Sequence, residues 1–225
     1  MKNLSDNFTF DLGWGNTHED WGGVLLPRNV IQYEDRIEIL TKRELVTGWR
    51  CLGDDIIHLT KEFSTGHLIS KDQWLYGQFE CEVTIPLFRG NWPAFWLYPM
   101  QRDEALPAPV VGEYNEIDWF EKFIKNWLAK YRIQGNIHKD GRMTPKTKYM
   151  CHPSARFNVK GKWKSDYVGM WLNGKKYYEV TGKENISQVP MNLLIGGGVG
   201  NWDPDLRDEA IMTIHTLKVN GKDLI

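Results

Sequence analysis

The chain has 225 residues, with 28 Lys plus Arg against 29 Asp plus Glu and a formal net charge of −1. That balance argues against a nucleic-acid or anionic-membrane partner, and no apolar run is long enough to cross a bilayer. A chain of this length buries roughly 70–75% of its unfolded surface and folds without disulfides, so one all-β domain over residues 1–225 is expected.

The N-terminal "MKNLSDNFTF" carries neither the apolar run nor the cleavage site of a leader peptide. "RIEIL" is the first alternating stretch. "YGQFECEVTIP" is the clearest, with Phe79, Cys81, Val83 and Ile85 on one face and Gln78, Glu80, Glu82 and Thr84 on the other. The three cysteines, Cys51, Cys81 and Cys151, cannot all pair and have no metal-ligand spacing. The turn-rich "RDEALPAPVVGEY" reads as a loop leading into the next strand.

That next segment, "NEIDWFEKF", places Glu116, Asp118 and Glu121 among Ile117, Trp119 and Phe120. In a strand, period two puts Glu116 and Asp118 on one face and Ile117 and Trp119 on the other. Strict alternation would then drive Glu121 into the core. One β-bulge near Phe120 returns it to the other acids at much lower cost. Three acids on one face repel one another and hold at least one proton tightly. Paired carboxyls with divergent proton affinities suit glycosidic cleavage, whereas three hard oxygen ligands equally suit calcium.

Phe120, Phe123, Ile124, Trp127, Leu128 and Tyr131 fall at helical spacing, so a helix starting after Glu121 competes with a loop there. In "YRIQGNIHKDG", Gln134, Asn136 and His138 share a polar face opposite Ile133 and Ile137. Asp140-Gly141, Asn173-Gly174 and Asn220-Gly221 are two-residue hairpin signals, and "YVGMWLNGKKYYEV" reads as a hairpin around the second. Many short strands with such turns suggest a sandwich or jelly roll. The 11 Trp exceed what a core demands, so some should meet a ligand. Trp92 and Trp202, flanked by Gly, Asn and Pro, fit a cleft; Trp96 fits a cleft or the core equally. Tyr114, two residues before Glu116, shares its face.

"YGQFECEVTIP", "GNWPAFWLYP" and "NEIDWFE", with "STGHLIS" before them and "YVGMWLNGKKYYE" and "MNLLIGGGVGNW" after, resemble glycoside hydrolase family 16 in order and spacing from about Asp6 to Val219. This is the family of laminarinases, lichenases, agarases, porphyranases and κ-carrageenases. The E-x-D-x-x-E pattern resembles its bulged signature. The resemblance implies a concanavalin A-like β-jelly roll of two curved antiparallel sheets, with substrate along the concave face. It makes Glu116 the nucleophile and Glu121 the general acid/base of a retaining endo-hydrolase, with Asp118 tuning Glu116. Trp92 and Trp96 match its aromatic segment, and Trp92, Trp96, Tyr114, Gln134, Asn136, His138 and Trp202 are the expected substrate contacts.

The expected substrate is a β-linked polysaccharide, a β-1,3- or β-1,3-1,4-glucan ahead of agarose, porphyran or carrageenan. Arg50, His67, Lys71 and Arg89 are the candidates for holding sulfate. A transglycosylase or a non-catalytic carbohydrate-binding protein on the same fold are the alternatives, though binding relatives generally lose an acid. No metal or organic cofactor is expected. Where many relatives carry a calcium-binding Asp in the last strand, "IHTLKV" has His215. The family normally acts outside the cell, and a monomer is expected.

Overall fold

The computed structural model describes residues 3–10, 12–100, 114–126, 128–143, 147–152 and 154–225. In chain order the strands are β1 (Phe8–Thr9), β2 (Gly23–Leu25), β3 (Val30–Gln32), β4 (Ile37–Leu52), β5 (Asp55–Thr65) and β6 (His67–Trp74). Then come β7 (Gly77–Thr84), β8 (Ala94–Tyr98), β9 (Glu116–Glu121), β10 (Arg132–Lys139), β11 (Arg142–Met143) and β12 (Lys148–Cys151). The last are β13 (Arg156–Lys164), β14 (Tyr167–Leu172), β15 (Lys175–Thr181), β16 (Met191–Gly196), β17 (Glu209–Val219) and β18 (Lys222–Asp223).

These strands form two sheets. The front sheet runs β1-β6-β16-β8-β9-β10-β11, with β12 also on β10. The back sheet runs β15-β14-β13-β7-β17-β4-β5-β2, with β3 and β18 on β4 and β17. The pairing is antiparallel except β2 with β5, which is parallel and departs from the uniformly antiparallel expectation. No helix among the described residues is long and apolar enough to cross a membrane.

Alternation decides which faces meet. Phe79, Cys81, Val83 and Ile85 of the β7 run are all buried, as are Ile117 and Trp119 of β9 and Ile133 and Ile137 of β10. Across the sandwich Trp119 stacks on Phe79, ring centroids 5.3 Å apart, and Phe120 meets Phe157 edge-on at 5.2 Å. Trp119 lies so close to β13 that a Cβ on Gly161 would come within 2.4 Å of its ring, so only glycine fits there.

All three hairpin turns form as expected. Asp140-Gly141, Asn173-Gly174 and Asn220-Gly221 have positive φ at both positions, the type I′ pattern whose twist matches the flanking strands. Cys51, Cys81 and Cys151 are free thiols.

The helix after Glu121 does not form. Within the expected stretch, one 3-10 turn at Ala129–Tyr131 is the helical geometry among the described residues; Trp127 lies outside them. The backbone N–H of Lys122 instead bonds to Pro93 O and that of Ile124 to Asn91 O, both at 3.1 Å. The segment is thus stitched to the loop before β8, and Ile124 is buried. Tertiary pairing overrides the helical period of the apolar residues. The loop expected at 102–114 falls, except for Tyr114, outside the described residues.

Candidate active site

The bulge is present, and it organises the site. On β10, Gln134 faces Glu121 while Asn136 faces Asp118, so two residues of β10 span three of β9. On β8, Phe95 faces Phe120 and Trp96 faces Asp118, which leaves Trp119 as the extra residue. Trp119 and Phe120 therefore both enter the core, and Glu121 returns to the face of Glu116 and Asp118. Every residue of β9 is buried. The register also sets each polar side chain of β10 opposite an acid: Gln134 against Glu121, Asn136 against Asp118 and His138 against Glu116.

Each acid meets a different environment. Glu121 accepts from Trp92 Nε1 at 3.0 Å, from Gln134 Nε2 at 3.1 Å and from Asn136 Nδ2. Thr147 Oγ1 donates to Asn136 Oδ1, which keeps the amide N–H aimed at Glu121. Glu116 accepts from the Tyr114 hydroxyl. Neither oxygen of Asp118 has a hydrogen-bond partner of good geometry, although the Asn136 amide still favours its ionised form, and His138 Nε2 stands 3.9 Å away.

Burial raises the proton affinity of all three acids, and no cation among the described residues offsets it. Glu116 is pushed up to about 7 by burial, reinforced by the Glu121 charge and opposed by hydrogen bonds from Asp118 and Tyr114. Asp118 is raised well above the usual aspartate value by burial and then by the Glu116 and Glu121 charges. Glu121 is raised by burial against hydrogen bonds from Trp92, Gln134, Asn136 and Asp118. A buried carboxyl without a well-placed donor keeps its proton, so Asp118 is the first home of the shared proton and offers it to Glu116. That hydrogen bond exists only once Asp118 is protonated. His138 is lowered by burial and stays a neutral neighbour. The Tyr114 phenol is raised by burial and the Glu116 charge, and stays a donor.

The acids open into a cavity of about 400 Å³, within the size range of small-ligand clefts. Glu116 and Glu121 line it, together with Trp92, Trp96 and Tyr114. Trp96 is thus a cleft residue, its indole N–H donating to His67 Nε2 at 3.2 Å. Gln134 and Asn136 reach the site through Glu121 and do not line this cavity. His138 packs edge-on against Tyr114, centroids 5.1 Å apart. Trp202 is set back from the cavity, 5.6 Å from Trp92 and 5.8 Å from Phe123, with its N–H on Ile124 O.

Sequence reasoning missed part of the cleft wall. Trp14 and Trp21 line it as an edge-on pair 5.7 Å apart, and Tyr98 joins them. Their signal was available, since both tryptophans stand beside glycines in "GWGNTHEDWGG", much as Trp92 and Trp202 each follow a Gly-Asn pair.

Comparison with known proteins agrees with this geometry. Residues 35–214 match the model of glycosyl hydrolases family 16. The chain belongs to that family. A glucan endo-1,3-beta-glucosidase of Cryptopygus antarcticus is 31% identical, the alignment covering 97% of this chain and 77% of that protein. The clotting factor G alpha subunit of Tachypleus tridentatus is 28% identical over 92% of this chain, which spans only 30% of that longer protein. Among solved structures, the laminarinase catalytic domain of Thermotoga maritima superposes with a TM-score of 0.73 at 18% identity, covering 95% of this chain and 91% of that one. The laminarinase of Flavobacterium sp. UMI-01 gives 0.73 at 17% identity, covering 97% and 94%. At these identities the structures speak for the jelly roll alone.

Within this family 16 chain, the four sulfate candidates do not gather. Lys71 bonds to Ser5 O and Arg89 pairs with Asp203 at 2.9 Å, and neither lines the cleft. His67 lines it, but burial lowers its pKa to about 4, leaving it uncharged. Arg50 lines it with its guanidinium engaged by Glu19. His215, at the position aligned with the calcium-binding Asp, shares a hydrogen bond with Thr84 Oγ1 at 2.8 Å. Glu116, Asp118 and His138 bring potential ligand atoms within 4.8 Å of one another. Two carboxylates and an imidazole fit calcium poorly, since it takes about six to eight oxygens.

Proposed function

We propose that the chain is a retaining endo-hydrolase of β-1,3-linked glucan, including mixed β-1,3-1,4-glucan, working by double displacement through Glu116 and Glu121. The observation that carries this reading is the convergence of both carboxyls on one aromatic cleft, with a third buried carboxyl between them. Glu116 attacks the anomeric carbon while Glu121 protonates the departing oxygen. Glu121 then deprotonates the water that releases the glycosyl-enzyme. Asp118 contributes by holding its proton toward Glu116, which orients that carboxylate for attack. The double displacement needs no metal or organic cofactor.

Hydrogen bonding does not sort the two outer acids into roles, because Glu121 has the more donors. The roles follow the order of acids in the E-x-D-x-x-E signature. For substrate, the cleft itself speaks against sulfated galactans: among the described residues its one Lys or Arg is Arg50, already paired with Glu19. Tryptophan rings such as Trp14, Trp21, Trp92 and Trp96 suit the flat apolar faces of glucose units, and the Cryptopygus antarcticus relative is named for β-1,3-glucan. All three acids are retained, which disfavours a purely binding role.

Reducing-end release across laminarin, lichenan, agarose, porphyran and κ-carrageenan tests the proposal, with Glu116→Ala as control. Release from laminarin or lichenan, lost in the variant, is expected. Release from a galactan alone would overturn the substrate. Binding without release by the folded wild type would overturn the enzyme reading.

A further inference from the structure

The bulge that creates the site is held from the opposite sheet. A bulge interrupts the ladder and leaves the extra residue without its strand partner, so a buried carbonyl there needs a donor from elsewhere. The Trp119 carbonyl finds one in the hydroxyl of Tyr177, 2.5 Å away. Tyr177 lies on β15 in the back sheet, whereas Trp119 lies on β9 in the front sheet.

Tyr177 is itself the extra residue of a second bulge. Met170 of β14 faces Tyr178, but the adjacent Trp171 faces Lys176, so Tyr177 is skipped. That irregularity turns Tyr177 inward beside Tyr178 instead of outward, and its ring packs against the core. The strand between also makes room for it. Gly135 of β10 stands between Gln134 and Asn136, opposite the β9 bulge. A Cβ there would meet Met170 Sδ at 2.6 Å and the Tyr177 hydroxyl at 3.0 Å. Burial keeps the phenol protonated, so it remains a donor.

We propose that Tyr177 is a positioning residue whose hydroxyl, by holding the Trp119 carbonyl, fixes the phase of the β9 bulge and so the aim of Glu121 into the cleft. The inference rests on the glycosidase reading of Glu116 and Glu121. Glu116 precedes the bulge and Glu121 follows it, so the latch bears on acid assistance more than on nucleophilic attack. Without the hydroxyl, the Trp119 peptide is free to rotate and Glu121 drifts from the leaving oxygen. A drift of about 1 Å at a reacting group is enough for a loss of up to about 100-fold.

Tyr177→Phe keeps the ring and removes the latch. On laminarin we expect kcat to fall about 10-fold or more while KM changes less than about 2-fold, the signature of an interaction used in the transition state. On 2,4-dinitrophenyl β-laminaribioside, whose leaving group needs little acid help, kcat/KM should fall less than about 3-fold, while kcat still falls because Glu121 also activates the water of the second step. Gly135→Ala, which crowds the hydroxyl, should show the same split. A folded Tyr177→Phe with a lowered Tm but unchanged kcat on laminarin would overturn the proposal, as would equal losses of kcat/KM on both substrates. Carbonyl 13C NMR separates this from failure of the glycosidase reading. Wild type inactive on every substrate overturns that reading, yet the latch still predicts shifted Trp119 carbonyl and Glu121 carboxyl resonances in Tyr177→Phe. Unshifted resonances would refute the latch.

Discussion

Strands β7 and β9 both carry glutamates between large apolar residues, and they treat them in opposite ways. β7 keeps strict alternation, so Glu80 and Glu82 point outward, and each meets a cation of β13: Lys160 and Arg156, both at 2.9 Å. Such partly exposed pairs are worth about 0–1 kcal/mol. β9 breaks alternation once and buries three acids, the least accessible being Asp118 at 1% exposure. Among the described residues no Lys or Arg pairs with any of them; their donors are Trp92, Gln134, Asn136 and Tyr114. A cation would anchor the acids as it does on β7, but it would also hold them ionised. Neutral donors and mutual repulsion leave protons on the cluster, as acid–base chemistry needs. β7 is built for stability, and β9 gives up stability for reactivity.

Breaking the contrast at its strongest point gives the largest effect. Glu116→Ala or Glu121→Ala should lower kcat on laminarin by about 1,000-fold or more, whereas Glu80→Gln and Glu82→Gln should leave it within about 2-fold. Steady-state kinetics on the four variants checks this. Asp118→Asn retains a donor toward Glu116 but cannot share a proton, so a loss of about 10- to 100-fold is expected in the same assay.

The pH dependence of stability sharpens the comparison. Burial pushes Glu116 up to about 7 from the 4.5 of an ordinary glutamate, so the native state binds its proton more tightly than the unfolded chain. Between those values the unfolded state holds fewer protons, and stability falls as pH rises. A shift of this size corresponds to on the order of 3 kcal/mol. Glu116→Gln should therefore unfold at higher denaturant than wild type at pH 8, with the gap closing toward pH 4. Equal gaps at both pH values would mean that the ionised acid costs the fold nothing. The smallest effect belongs to the Trp14–Trp21 pair of the cleft wall. Trp14→Ala should raise KM for long glucans about 5-fold with little change in kcat, because a contact with no reacting atom binds ground and transition states alike.

Much of this was legible in the residues, for identifiable reasons. A six-residue segment with acids at its first, third and sixth positions has one phase error, and a bulge is the cheapest repair. The Asn-Gly and Asp-Gly turns could be read because few other pairs accept two positive φ values. The polar face of Gln134, Asn136 and His138 followed from alternation, and pairing then set each opposite an acid. The choice between helix and loop after Glu121 stayed open in the sequence because Phe123 and Ile124 answer to tertiary partners: Phe123 packs on Trp92 at 4.6 Å, and Ile124 bonds to the loop before β8. Trp14 and Trp21 were passed over because their glycine-rich segment has no strand period to assign a face. The role of Tyr177 was beyond sequence reading, since it depends on two bulges facing each other across the sandwich.

The anomeric configuration of the first product tests the central claim most directly. With 1H NMR following early laminarin hydrolysis, the account predicts that the new reducing end appears first as the β anomer and then mutarotates. Appearance of the α anomer first would mean inversion through a base-activated water, and would contradict the role given to Glu116 as nucleophile.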